Sequence, residues 1–251
     1  MHNSPLFNYA WFLDHATSIK DLAALSMADS WDYTNTPTGR QPILSNYIHH
    51  TFAKIQEESK VIEVSGSSIF NTGLVTSNQE EIFGFFETNK KPGSQINWFF
   101  KGWRKKSDKE LMRFTSLPEV ANYFENPADL LYDTRLELRT NIDHIINDNF
   151  DRFPETLKAI GDYQLNIILQ GTIDDATRRV KRNYKTAIPQ FYKGKLQLLL
   201  PLCLQSKSIA DLALVVEKEN DTYRATTCLT LDMALNNARL IARPDDEWLK
   251  P

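Results

Sequence analysis

Between positions 178 and 185 the chain reads Arg-Arg-Val-Lys-Arg-Asn-Tyr-Lys, and Pro189, Gln190, Phe191 and Tyr192 follow closely. Five cations thus fall within eight residues of a protein whose formal net charge is −3. Basic charge gathered in one place against an acidic background points to a partner that carries phosphate. If 172–184 is helical, Arg178, Lys181, Arg182 and Lys185 recur at three- and four-residue spacing and form one cationic face, with Arg179 beside it. Guanidinium groups suit phosphate because a planar fork can donate two parallel hydrogen bonds. Asn183 and Gln190 could contact a base or ribose edge, and Tyr184 or Tyr192 could stack on a base. The competing reading is a solvated helix face whose cations pair with Asp174, Asp175 or other carboxylates.

Four more stretches could carry chemistry. In Trp98–Lys106, aromatics and cations interleave at strand spacing. On a regular strand Trp98 and Phe100 face one way, and Phe99, Lys101 and Trp103 the other, so one aromatic set could be core while the other stacks on bases. Around 141–154, His144, Asn147 and Asp148 share a helix face with Arg152 beyond them. A His near an amide and an Arg could act as acid, base or phosphate donor, although such a His often only bonds a backbone carbonyl. In 230–239, Asp232, Asn236 and Arg239 recur at helical spacing near a helix start that could hold an anion, with Asn237 alongside. The alternative is an Asp cap followed by surface polar groups. Finally, Asn71, Thr72 and Gly73 interrupt an apolar strand, which marks a bulge or the close approach of a ligand or another strand.

The elements around these residues follow from hydrophobic period. A helix is expected from Thr17 or Ser18 to about Asp29, and another over 43–58 with Ile43, Leu44, Tyr47, Ile48, Thr51, Phe52 and Ile55 as a buried stripe. Short β-type runs follow at 61–64, 68–76, 81–88 and 96–103, with Pro92-Gly93-Ser94 as a turn. Helical patterns cover 134–150 and 154–184, with breaks near Gly161 and Gly171. Strands return at 196–204, 212–217 and 223–229, before a last helix from Asp232 to about Ile241. Strands, helices, then strands without βαβ alternation predict an α+β fold: a single compact domain with a mainly antiparallel sheet flanked by helices. Residues 1–59 would form an N-terminal helical part packing on a 60–251 body.

Composition narrows the class. Hydrophobic residues make up 41% and aromatics 11% of the 251 residues, which suffices for a core and excludes a disordered chain. Net charge excludes a uniformly basic nucleic-acid binder while allowing a local basic groove. Cys203 and Cys228 lie in apolar runs and read as reduced core residues. No apolar run reaches the ~18 residues of a membrane helix, and no secretory leader pattern opens the chain, so a cytoplasmic protein is expected. There is no P-loop, GxGxxG, HExxH, GxSxG or zinc spacing, which leaves the cofactor unknown.

Across nearly its whole length, from Trp31-Asp32-Tyr33 to Trp248, the chain resembles a bacterial and fungal domain family of unknown function. The resemblance rests on Phe70–Leu74, on His144-Ile145 with Asn149, Arg152 and Pro154, and on Arg179-Val180 with Asn183-Tyr184. It continues through Ile188-Pro189-Gln190, Leu198–Leu202 and Asn237–Leu240. Members of that family sometimes accompany cold-shock-like or LOTUS-type RNA-binding domains, which implies an RNA context but no particular reaction.

Two functions are therefore expected to compete, beside a blander one, a protein-interaction domain in which the Arg residues pair with internal carboxylates. In the first, an RNA- or nucleotide-binding domain neutralises phosphates with Arg178, Arg179, Arg182 and Lys185 and contacts bases or ribose with Asn183, Tyr184 and Gln190, with Asn71 and Asn237 as further contacts. In the second, a phosphoesterase or phosphoryl- or nucleotidyl-transfer enzyme acts on a nucleotide or RNA end. There His144 is the acid or base, Asp232 a base or metal partner, and Arg152, Arg182 and Arg239 the phosphate clamps.

Overall fold

A computed structural model describes residues 4–33 and 37–241 of the chain. The fold class is α+β with mainly antiparallel strands, as the periods predict, but the strands build two five-stranded sheets instead of one. The chain divides into two compact units, residues 1–122 and 123–251, each holding one sheet.

The first unit contains α1 (Pro5–Tyr9), β1 (Ala10–Trp11), α2 (His15–Leu25), α3 (Pro42–Glu57), β2 (Ile62–Val64), β3 (Ser67–Val75), β4 (Glu81–Thr88) and β5 (Trp98–Lys105). Helix α2 starts before Thr17 because Asp14 is the cap, its carboxylate accepting from the Thr17 N–H at 3.1 Å. Helix α3 buries all seven residues of the expected stripe and packs on β3. The sheet runs β1-β5-β4-β3-β2, with only β1–β5 parallel.

Strand β5 departs from regular alternation. A bulge shifts its pairing with β4 between Phe85 and Phe86, and Gly102 takes φ +128° there. Phe100 and Trp103, predicted on opposite faces, are consequently both buried with ring centroids 4.8 Å apart. Trp103 donates its indole N–H to Ser18 O at 2.6 Å, and Trp98 stacks on Tyr9. The aromatics of this strand serve packing inside the first unit.

The second unit contains β6 (Glu137–Thr140), α4 (Ile142–Asn149), α5 (Glu155–Lys158), α6 (Asp162–Arg182), β7 (Ile188–Tyr192), β8 (Lys195–Leu202), β9 (Leu212–Glu219), β10 (Thr222–Leu229) and α7 (Leu231–Ala238). Its sheet runs β6-β10-β9-β8-β7, with β6 parallel to β10. Leu198, Leu200 and Leu202 of β8 and Leu212, Leu214 and Val216 of β9 form a core with Leu165, Leu169, Ile173, Ala176 and Val180 of α6. Helix α7 packs against β7, β9 and β10.

Three expectations change here. The helix predicted over 134–150 gives way first to strand β6, whose Leu138/Thr140 alternation, continued back to Leu136 just before it, has period two. Gly171 does not break α6, whereas Gly161, at φ +88°, does precede its start. Residues 188–192, not predicted as strand, form the edge β7. Among the described residues no helix is long and apolar enough to cross a membrane, and both cysteines are free.

Candidate functional site

The buried stripe of α6 fixes where its charges point. With Leu165, Leu169, Thr172, Ile173, Ala176 and Val180 turned into the core, the remaining residues of its last two turns face solvent. Arg178, Lys181 and Arg182, and Lys185 in the turn that follows and not on the helix face expected for it, are exposed and form no ion pair among the described residues. Arg179 is the exception: its Nε donates to Asp175 at 2.7 Å, and its Nη2 donates to Lys207 O. The solvated-and-paired alternative therefore holds for one cation of the five.

Asn183 leaves the helix with extended backbone, and its Oδ1 accepts from the Lys185 N–H at 3.1 Å. This side chain shapes the exit from α6. Tyr184 follows at 64% exposure, its ring available to solvent. Gln190, by contrast, is 1% exposed, donating to Gln197 at 2.9 Å and accepting from Asn237 at 3.1 Å. The chain continues to Glu217, which accepts from Gln197 at 3.1 Å and pairs with Lys195. Thus Gln190 and Asn237, distant in sequence, meet where α7 lies on β7, but their amides are occupied by each other and by the sheet.

At the other end of α7, Asp232 is half-buried, and burial pushes its carboxyl above the ordinary carboxylate range. Its backbone carbonyl accepts from Asn236 at 3.0 Å. Thr230, not Asp232, caps the helix, accepting from the Met233 N–H at 3.4 Å. Arg239 is half-buried with an internal partner.

His144 is exposed on α4, with Nδ1 3.3 Å from Asp148 one turn on. Arg152 takes the opposite course. Its Nη1 donates to Asn149 Oδ1, to Thr227 Oγ1 at 3.4 Å and to Cys228 O. Thr227 also donates to Asn149 Oδ1 at 2.9 Å, and Asn149 donates to Ile145 O at 2.9 Å. Arg152 thereby ties the end of α4 to β10.

Asn71 belongs to the first unit and not to the set on the second. It is 1% exposed, donates to Glu81 at 3.1 Å and Pro118 O at 3.2 Å, and accepts from the Gly73 N–H at 2.9 Å. The interruption it predicts is a bulge, since β3–β4 pairing shifts between Asn71 and Val75. What approaches Gly73 is Tyr47 of α3, whose hydroxyl donates to Thr72 O at 3.0 Å. A Cβ at Gly73 would lie 2.7 Å from that oxygen, and φ is +73°. Helix packing accounts for this glycine.

Residue spacing alone misses a cleft of about 430 Å³ beside the basic run. One wall is α6, through Gln170, Asp174, Thr177, Arg178 and Lys181; the other is the segment before and along β6, through Tyr132, Leu136 and Leu138. The signal was present in the sequence, since 170, 174, 177, 178 and 181 recur on one helix face. It lacked its second wall because 134–140 reads there as helix. Tyr132 is 7% exposed and stacks on Tyr223 at 4.4 Å, with no hydrogen-bond partner for its hydroxyl among the described residues. Burial, then the Tyr223 hydroxyl, push its pKa to about 12, so it remains a donor. Tyr223 accepts from the Asp133 N–H at 2.8 Å.

No curated protein and no solved structure matches the chain. A family model, described as a domain of unknown function (DUF3825), matches residues 22–248, from α2 past the end of α7; Trp248 lies outside the described residues. That match covers every strand except β1 and every residue of the basic run, and the chain belongs to the DUF3825 family.

Proposed function

We propose that this protein binds RNA or a nucleotide through the cationic end of α6, in the reducing setting of the cytoplasm. The observation that supports this reading is the state of the basic run. Four of its five cations are exposed and, among the described residues, meet no carboxylate. Surface cations in a protein of net charge −3 have abundant acidic partners to draw on, so a cluster left unneutralised favours an external anion. Tyr184, exposed beside Lys185, adds a ring on which a base can stack. Arg178 and Arg182, one turn apart, offer forks suited to successive phosphates.

The test is fluorescence anisotropy with a labelled ten-nucleotide single-stranded RNA. Arg182→Ala combined with Lys185→Ala should weaken binding roughly tenfold near physiological salt, the effect of losing two phosphate contacts on a single strand. Equal affinity of the double variant and the parent at every salt concentration would sink the proposal.

A further inference from the structure

The cleft beside the basic run has a lining that matches one kind of ligand. Asp174 and Arg178 are spaced i, i+4, the same spacing at which Asp175 and Arg179 pair at 2.7 Å. Asp174 and Arg178 nevertheless form no ion pair among the described residues, and both face the cleft. Lys181, one turn on, is likewise unpaired and lines the same space. The opposite wall is apolar at Leu136 and Leu138, and its carboxylate, Glu137, is already paired with Arg139 at 3.0 Å. An unpaired acceptor, two unpaired cations and an apolar wall therefore surround one space of about 430 Å³. That volume lies within the ~300–1,000 Å³ of small-molecule sites.

Each lining group has a counterpart in a ribonucleotide. Phosphate needs cations with free donors, as Arg178 and Lys181 provide. Vicinal ribose hydroxyls donate to a carboxylate, which a deoxyribose can do only in part. A base needs an apolar face and a few polar contacts, which Leu136, Leu138 and Gln170 supply. A lone phosphate or sulfate would gain from the cations but be repelled by Asp174, and a purely apolar ligand would leave the three unpaired charges, Asp174, Arg178 and Lys181, unused.

We infer that the cleft seats one ribonucleotide unit, with its phosphate on Arg178 and Lys181, its ribose hydroxyls on Asp174, and its base against Leu136 and Leu138. The inference rests on the RNA-or-nucleotide reading above and makes it specific. Arg182 and Lys185, beyond the cleft, would then follow the backbone of an attached strand. The unit could be a free nucleotide or the end of an RNA, since both present the same phosphate and ribose.

Calorimetric titration of the full chain separates these cases. The probes are adenosine 5′-monophosphate, its 2′-deoxy counterpart, and 5′-phosphorylated pentamers of adenylate in ribo and deoxy form. The ribo member of at least one pair should bind about tenfold tighter than the deoxy member, the size of one hydrogen bond to a charged group. Whichever ribo probe binds tighter identifies the source. Asp174→Asn should erase the ribo preference without moving the thermal midpoint, because Asp174 is exposed and unpaired, and Lys181→Ala should weaken both members of a pair alike. Equal binding of ribo and deoxy probes, or a preference that survives Asp174→Asn, overturns the cleft assignment. If the pentamers then still weaken with salt and with the Arg182/Lys185 double variant, RNA binding stands without it. Failure of every probe to bind the parent protein overturns both.

Discussion

Arg152 and Arg178 carry the same guanidinium in opposite circumstances. Arg152 gives Nη1 to an amide oxygen, a hydroxyl and a backbone carbonyl, and so fastens α4 to β10, whereas Arg178 stands exposed beside a cleft. Residue type alone made both candidates for phosphate, Arg152 as a clamp in the enzyme reading and Arg178 as a neutralising cation in the binding one. What separates them is the set of acceptors that other strands and helices bring within reach. Histidines divide in the same way. His144 faces solvent, while His49 lies among Phe7 and His15 with the Ser4 hydroxyl 2.7 Å from its Nδ1. Burial, then the neighbouring His15 and His50, lower the His49 pKa to about 4, and burial lowers that of His15 too. Because the unfolded value is higher, near 6.5, the unfolded chain takes up the proton first. Stability contributed by neutral His49 is present above about pH 6.5 and is lost as pH falls toward 4, on the order of 2–3 kcal/mol in all. Urea unfolding followed by tryptophan fluorescence should show this loss in the parent, and His49→Leu should flatten it. Parallel pH profiles for the two proteins would contradict the assignment.

Among the elements, those with a clean period were legible and those bent by tertiary contact were not. The α3 stripe follows from spacing residue by residue, since a helix buries whichever positions recur at three and four. Strand β5 does not, because the bulge at Gly102 places Phe100 and Trp103 on one side of the sheet. Strand β6 was lost to a short stretch of polar and apolar residues that fits either period, and its pairing partner β10 is more than 80 residues away in sequence. Gly84 in β4 makes a related point. It looks like a weak spot in an apolar strand, yet a Cβ there would sit 2.1 Å from Phe70 Cε1. Phe70 is fully buried against Phe52 and Phe86 and has no room to retreat. Gly84→Ala is therefore expected to cost about 2–3 kcal/mol by overpacking. Equilibrium denaturation measures it, and Phe70→Leu in the same chain should recover part of the loss. At the end of α6 the cations Arg179, Lys181 and Arg182 also complement the negative end of the helix dipole, a stabilising effect of a few tenths to ~1 kcal/mol that is separable from ligand binding by melting the unliganded double variant.

At the scale of the whole molecule, a net charge of −3 and a cluster of unpaired cations act together. Binding to a single strand through four cations should give a slope of about −2.8 in log K against log salt, falling to about −1.4 when Arg182 and Lys185 are removed. Slopes that coincide would mean these side chains do not meet phosphate. The α+β class, the helical register of the basic run as far as Arg182 (Lys185, expected on the same face, lies in a separate turn) and the lack of nucleotide-loop, zinc-site and hydrolase motifs all follow from the order of residues, because period and propensity are local properties. Which cations stay unpaired, why Asn71 and Gln190 are inward-facing, and where a cleft opens do not follow from it. Arg179 is held in part by Lys207 O, Arg152 by Thr227 and Cys228, and Gly73 is fixed by Tyr47. Lys207, Thr227 and Tyr47 lie 26 to 75 residues away in the chain from the residues they hold. Burial and pairing are decided by such non-local neighbours, which exist only once the sheets have closed on their helices.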